Sequence, residues 1–168
     1  PRPKADRADL FDREAELRQF SEALAYASLI VITGLRRTGK TSFMNVALAE
    51  SKHPYVSLDL RGLPYNPSHA DIVRKLEAAF GRVDTRWLPS LLKRLKGVKG
   101  VSILGNVINF DWSKTGVDLG DLFDNIDGWA SKQGRRFLVA FDEIQLIRGD
   151  RKIPRLFAHI ADVNHNVV

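Results

Sequence analysis

The chain has 168 residues and not one cysteine. That excludes a disulfide scaffold, a Cys-ligated zinc or iron–sulfur centre and thiol catalysis. Long apolar runs are also missing. The strictly apolar stretches, as at residues 29–32 and 137–141, reach only strand length, far short of the ~20 residues a membrane-spanning helix needs. No apolar segment follows Pro1-Arg2-Pro3-Lys4, so a secretory leader is not expected, and the cytoplasm is the default compartment. His53, His69, His159 and His165 are scattered. The last two are six apart, off a common helical face, so no metal-ligand spacing emerges. No Gly-x-Ser-x-Gly elbow is present. What remains, 44% hydrophobic and 27% charged, is the composition of one ordinary folded domain.

Charge is present in excess and unevenly spread. Lys and Arg number 26 against 20 acidic residues, giving +6. Residues 82–99 hold Arg82, Arg86, Lys93, Arg94, Lys96 and Lys99 against Asp84 alone. Residues 111–127 hold Asp111, Asp118, Asp121, Asp124 and Asp127 against Lys114 alone. A basic block can track a phosphate backbone, but a run of charge more often solvates a helix face.

Hydrophobic periodicity divides the chain into alternating elements. Asp12–Ala27 reads as a helix, Ser28–Thr33 as a buried strand, and Lys40–Ser51 as a second helix. Pro54–Leu60 alternates and reads as a strand. Ser68 N-caps a helix from His69 to Phe80. Trp87–Lys96 is a short basic helix, and 98–111 a β-hairpin around Gly105-Asn106. Leu119–Gln133 is an amphipathic helix, Arg136–Phe141 a second buried strand, and Ile153–Val163 a last helix. Trp87 and Trp129 read as core or hairpin anchors, and Trp112 as a partner contact. The order is that of an α/β protein with a mostly parallel sheet flanked by helices. Residues 81–116, with the basic helix and hairpin, read as an insertion into it.

One motif carries specific chemistry. Gly34-Leu35-Arg36-Arg37-Thr38-Gly39-Lys40-Thr41 fits G-x-x-x-x-G-K-[ST] at every fixed position, and Ser42 follows it into the helix. It lies where the mechanism requires, after an apolar run and at the start of a helix. Gly34 and Gly39 permit a tight turn whose backbone N–H groups surround phosphate oxygens. The positive end of the helix faces the same anion. Lys40 neutralises the β- and γ-phosphates, and Thr41 offers its hydroxyl to Mg²⁺. Arg36 and Arg37, at the loop apex, either flank the nucleotide or face solvent. The second half of such a site is an acidic residue ending another strand, and 137–143, FLVAFDE, supplies Asp142 for the metal. Glu143 then accepts the proton of the attacking water. Gln145, two residues on, either senses the γ-phosphate or is solvated. No Asn-Lys-x-Asp segment is present, so ATP/ADP is favoured over guanine nucleotides.

GLRRTGKTS at the loop, FDEIQ at the second strand and the entry segment Phe11-Asp12-Arg13-Glu14-Ala15-Glu16-Leu17 together resemble the archaeal ATPase family. These are AAA+-related P-loop NTPases of the STAND-like branch, and the resemblance runs over nearly the whole chain. It implies Mg²⁺-dependent ATP hydrolysis driving a conformational switch in a larger protein. It places the entry segment near the base, making Phe11 and Arg13 adenine-side candidates. It also implies that a strand beginning near Asn166 lies between the Ser28–Thr33 and Arg136–Phe141 strands, followed by a sensor residue, a helical lid and a winged-helix domain. Residues 1–168 would then be the N-terminal part of a longer protein, insoluble or unfolded when expressed alone. The competing reading is a DNA-binding AAA+ protein resembling archaeal replication initiators, with ATP as conformational ligand and residues 82–99 on DNA. A protein partner or self-association is also open; a membrane is not expected.

Overall fold

The computed structural model describes residues 6–64, 67–111, 113, 116–146 and 152–168. Its helices are α1 (Glu14–Ala23), α2 (Lys40–Glu50), α3 (His69–Phe80), α4 (Leu88–Leu95), α5 (Leu119–Lys132) and α6 (Lys152–Val163). Its strands are β1 (Tyr55–Asp59), β2 (Val101–Leu104), β3 (Val107–Phe110) and β4 (Leu138–Asp142). Among the described residues no helix is long and apolar enough to cross a membrane.

The local reasons for these elements are plain in the sequence. At the start of α3 the Ser68 side chain accepts from the Asp71 N–H and Asp71 accepts from the Ser68 N–H, a reciprocal capping box. Asp118 caps α5 by accepting from the N–H groups of Gly120 and Asp121. Gly105, at φ 60°, turns the β2–β3 hairpin, a conformation that costs other residues more. In α4, Leu88, Leu91, Leu92 and Leu95 are buried, while Lys93 and Arg94 face solvent.

β1 and β4 run parallel and side by side, from Tyr55 opposite Leu138 to Asp59 opposite Asp142. Successive side chains of a strand alternate between the two faces of a sheet, and both faces here are covered. On one, Val56, Leu58, Phe137, Val139 and Phe141 pack with α3, α4, α5 and the hairpin in the main core. There Phe80 stacks on Phe137 at 6.0 Å, and Trp129 meets Phe137 edge-on at 6.2 Å. On the other, Tyr55, Leu138 and Ala140 pack against Leu24, Met44 and Leu48 of the α1–α2 layer. The result is a helix–sheet–helix sandwich. The hairpin is fastened to it by the Phe110 N–H, which donates to Glu77 Oε2 at 2.6 Å.

Trp87 and Trp129 are edge-to-face at 6.4 Å, and Trp129 Nε1 donates to Ser90 Oγ at 3.2 Å, the anchoring role expected of them. Trp112 lies outside the described residues.

The Ser28–Thr33 segment departs from its expected form. It makes no strand pairing among the described residues, and Leu29 and Val31 are 65% and 70% exposed. The physical reason is the missing neighbour: residues 166–168, which pair with β4 on one side, supply no ladder to residues 28–33 on the other among the described residues. β4 offers its free edge to residues 166–168: the Phe137 N–H donates to the Asn166 carbonyl at 2.7 Å, and the Val139 N–H to the Val168 carbonyl at 2.8 Å. Val167 forms a parallel bridge with Phe137. Those three residues run beside β4, as expected of a strand beginning near Asn166, but no ladder joins them to residues 28–33 among the described residues. Ile30 and Ile32 contact the α1–α2 core, as does Val168, so packing holds the segment in place.

Candidate functional site

Two chain crossings meet at the carboxyl end of the sheet. The first is the loop of residues 34–39, entering α2 through Gly39. Gly39 is at φ 83° and Gly34 at φ 153°. A side chain at Gly34 would also meet Thr38 Oγ1 at 3.2 Å. Glycine therefore serves both turns. Arg37, at the apex, is left-handed at φ 67°, a conformation non-glycine residues hold only when the surroundings impose it.

Gly39 provides no capping side chain for α2, so an anion can take that role at the helix start. Lys40 Nζ donates to the carbonyls of Gly34 and Leu35 at 2.9 and 2.7 Å, and Thr38 Oγ1 to the Leu35 carbonyl at 2.8 Å. The lysine thus lies along the concave side of its own loop.

The second crossing is β4. Leu138 and Ala140 face the α2 layer, and Asp142 shares their parity. Its carboxylate is thereby delivered to α2: Thr41 Oγ1 donates to Asp142 Oδ2 at 2.8 Å, across 101 residues of sequence. Both oxygens are hard donors of the kind that Mg²⁺ prefers. Glu143 follows in the left-handed region at φ 59°, which turns its side chain away from the strand direction. Gln145 Nε2 donates to Glu143 Oε2. Gly34, Gly39, Lys40, Thr41, Leu138, Ala140, Asp142, Glu143 and Gln145 line one open cleft of about 1420 Å³, together with Arg36, Arg37, Ser42, residues 28–33 and Val168.

The entry segment divides. Arg13 Nη2 donates to the Thr38 carbonyl at 3.2 Å, while its Nη1 donates to Glu16 Oε1 at 2.6 Å. It lines a smaller hollow of about 560 Å³ on the far side of the loop, with Thr38, Gly39 and Lys40. The Glu16 carboxyl is held below the ordinary carboxylate range by a backbone hydrogen bond and by Arg13. Phe11 is 94% exposed and lines neither hollow. Leu35 is exposed.

The basic block lies apart from the cleft. Arg82, Arg86, Lys93, Arg94, Lys96 and Lys99 are exposed, on and around α4. Arg86 is paired with Asp84 at 2.6 Å.

Two residues that sequence reasoning left out also reach the site. Asp59 ends β1 directly opposite Asp142, and Arg61 lines the same cleft. The available signal was the polar ending of an apolar strand, Leu58-Asp59-Leu60-Arg61, one lane from the Asp142 strand.

No protein-family model and no curated protein matches the chain. Among solved structures it is similar to the Walker-type ATPase PABY2304 of Pyrococcus abyssi, with a TM-score of 0.74 and 28% identity over 99% of this chain. The match takes in 46% of that protein, so this chain spans slightly less than half its length. The chain is thus an α/β protein with a parallel sheet between helices, similar over its length to part of a Walker-type ATPase.

Proposed function

We propose that the chain binds ATP with Mg²⁺ in the loop of residues 34–42 and hydrolyses its terminal phosphoanhydride bond. The observation that carries this reading is the Thr41 Oγ1–Asp142 Oδ2 hydrogen bond. It joins the two sequence motifs into one oxygen pair beside the glycine-flanked loop of residues 34–39. The backbone N–H groups of the loop and the first turn of α2 hold the β- and γ-phosphates. Lys40 exchanges the carbonyls of Gly34 and Leu35 for phosphate oxygens. Thr41 and Asp142 would hold Mg²⁺, which supplies charge neutralisation on the transferring group. Glu143 orients the attacking water and takes its proton. The water oxygen bonds to the γ-phosphorus as the bond to the β–γ bridging oxygen breaks, leaving ADP and inorganic phosphate. Arg13, fixed to the loop through the Thr38 carbonyl, belongs to the base side of the nucleotide.

In the same reading the domain is of the AAA+-related, STAND-like kind. The unit at 81–116 is an insertion, and turnover drives a conformational switch. The test is phosphate release from ATP by the purified protein with Mg²⁺, with EDTA, and with GTP in place of ATP. Release that needs Mg²⁺ and prefers ATP is expected. Absence of both ATP binding and Mg²⁺-dependent release refutes the reading.

A further inference from the structure

Arg61 stands at the mouth of the cleft on a short, well-braced segment. Along β1, Tyr55 faces the α2 layer, so Ser57 and Asp59 share that face by parity. Asp59 and Asp142 are therefore neighbouring carboxylates, in register on two adjacent strands and on the side that faces the phosphate loop. The chain just beyond Asp59 is tied to β4, because the Leu60 N–H donates to the Asp142 carbonyl at 3.2 Å. Arg61 follows, with its N–H on Asp59 Oδ1 at 3.0 Å and its carbonyl accepting from Lys75 Nζ at 3.0 Å. Gly62, at φ 78°, then turns the chain away.

The guanidinium grips Asp59 with two arms, Nε to Oδ1 at 2.9 Å and Nη2 to Oδ2 at 2.8 Å. Asp59 first, and then Asp142 and Glu143, hold the Arg61 cation more firmly protonated than usual, so it lies within the field of the proposed metal and water carboxylates. Its side chain is nonetheless 55% exposed, and an exposed ion pair of this kind contributes little to stability. A planar fork matches phosphate oxygens as well as it matches a carboxylate.

We propose that Arg61, oriented by Asp59 at the carboxyl end of β1, is a γ-phosphate ligand supplied from within the chain. It rests on the ATPase reading above and extends it. Lys40 and the loop amides hold the β- and γ-phosphates from the α2 side. Arg61 reaches the γ-phosphate from the β1 side, past Asp142, and spreads the charge that gathers on the equatorial oxygens during transfer. The residue then distinguishes ATP from ADP. A mere brace of the β1–α3 turn does not.

The test compares Mg²⁺-dependent binding of ADP and of a non-hydrolysable ATP analogue by calorimetry, with the full chain. In Arg61→Ala the affinity for the analogue falls about tenfold or more while that for ADP stays within about twofold, since one charge-assisted bidentate contact is lost only where a γ-phosphate is present. Arg61→Lys recovers part of the loss, because it restores the charge but not the fork. Steady-state kcat falls in the same order. Equal loss for both nucleotides, or no change for either, overturns the proposal while leaving the ATPase reading intact. Wild-type protein that binds neither nucleotide overturns both.

Discussion

Replacing Glu143 by Gln separates binding from chemistry at this site. The change removes one proton-accepting oxygen and little else. The amide is isosteric with the carboxylate, and its oxygen still accepts from Gln145 Nε2, the side-chain partner of Glu143. The backbone at 143 is already left-handed at φ 59°, a cost that Gln and Glu bear alike. The Thr41–Asp142 pair and the phosphate loop do not involve this side chain. Affinity for ATP should therefore stay within about twofold, and the melting temperature should be unchanged. Hydrolysis loses its general base, a contribution of about 10²–10⁴ in rate, or about 2.7–5.4 kcal/mol on the barrier. Fluorescent-nucleotide binding together with a single-turnover phosphate-release assay measures both quantities on one sample. Hydrolysis within a few-fold of wild type, at saturating ATP, would refute the assigned role. So would a loss of binding that matches the loss of rate.

Two further predictions concern stability. His53 Nδ1 accepts from the Arg136 N–H at 3.2 Å, and burial, then the charges of Arg135 and Arg136, push its pKa down from the ordinary value. Its folded-state pKa lies below its unfolded one, so its contribution is complete above about pH 6.5 and is lost as pH falls through the folded value. Chemical denaturation across pH 5–7 should show stability declining with acid in wild type and a shallower decline in His53→Gln; identical slopes would contradict this. Phe137 is fully buried between Phe80 and Trp129, so Phe137→Ala should cost about 3–5 kcal/mol and lower Tm by about 6–20 °C. A shift of only a degree or two would mean that this residue is not at the centre of the core.

The parts of this molecule legible in its sequence were those encoded locally. Leu88, Leu91, Leu92 and Leu95 mark α4 by spacing alone, and Ser68 with Asp71 marks the start of α3. The loop at 34–41 is legible because two glycines, a lysine and a threonine must sit at fixed spacing for one anion. Residues 28–33 were misleading for a non-local reason. An apolar, β-branched run has the composition of a strand, but a strand exists only where a neighbour supplies hydrogen bonds, and residues 166–168, which pair with β4, form no ladder with residues 28–33 among the described residues. Asp59 and Arg61 were passed over for a related reason. Their place beside Asp142 depends on the β1–β4 register, which no spacing within either segment reveals. Phe11 and Arg13 looked alike as entry residues, yet only Arg13 reaches the loop, because its fork can bridge Glu16 and the Thr38 carbonyl.

The central claim is that the loop of residues 34–42 is a nucleotide phosphate cradle, and titration of MgATP into wild type and Lys40→Ala tests it most directly. Lys40 Nζ lies on the loop carbonyls of Gly34 and Leu35, on the exposed face of the domain and outside its buried core, so the variant should keep its fold and its thermal transition. Wild type should bind MgATP, and Lys40→Ala should lose at least about tenfold in affinity, roughly 1.4 kcal/mol or more, with hydrolysis falling alongside. Equal affinity and equal turnover in the two proteins would contradict the account.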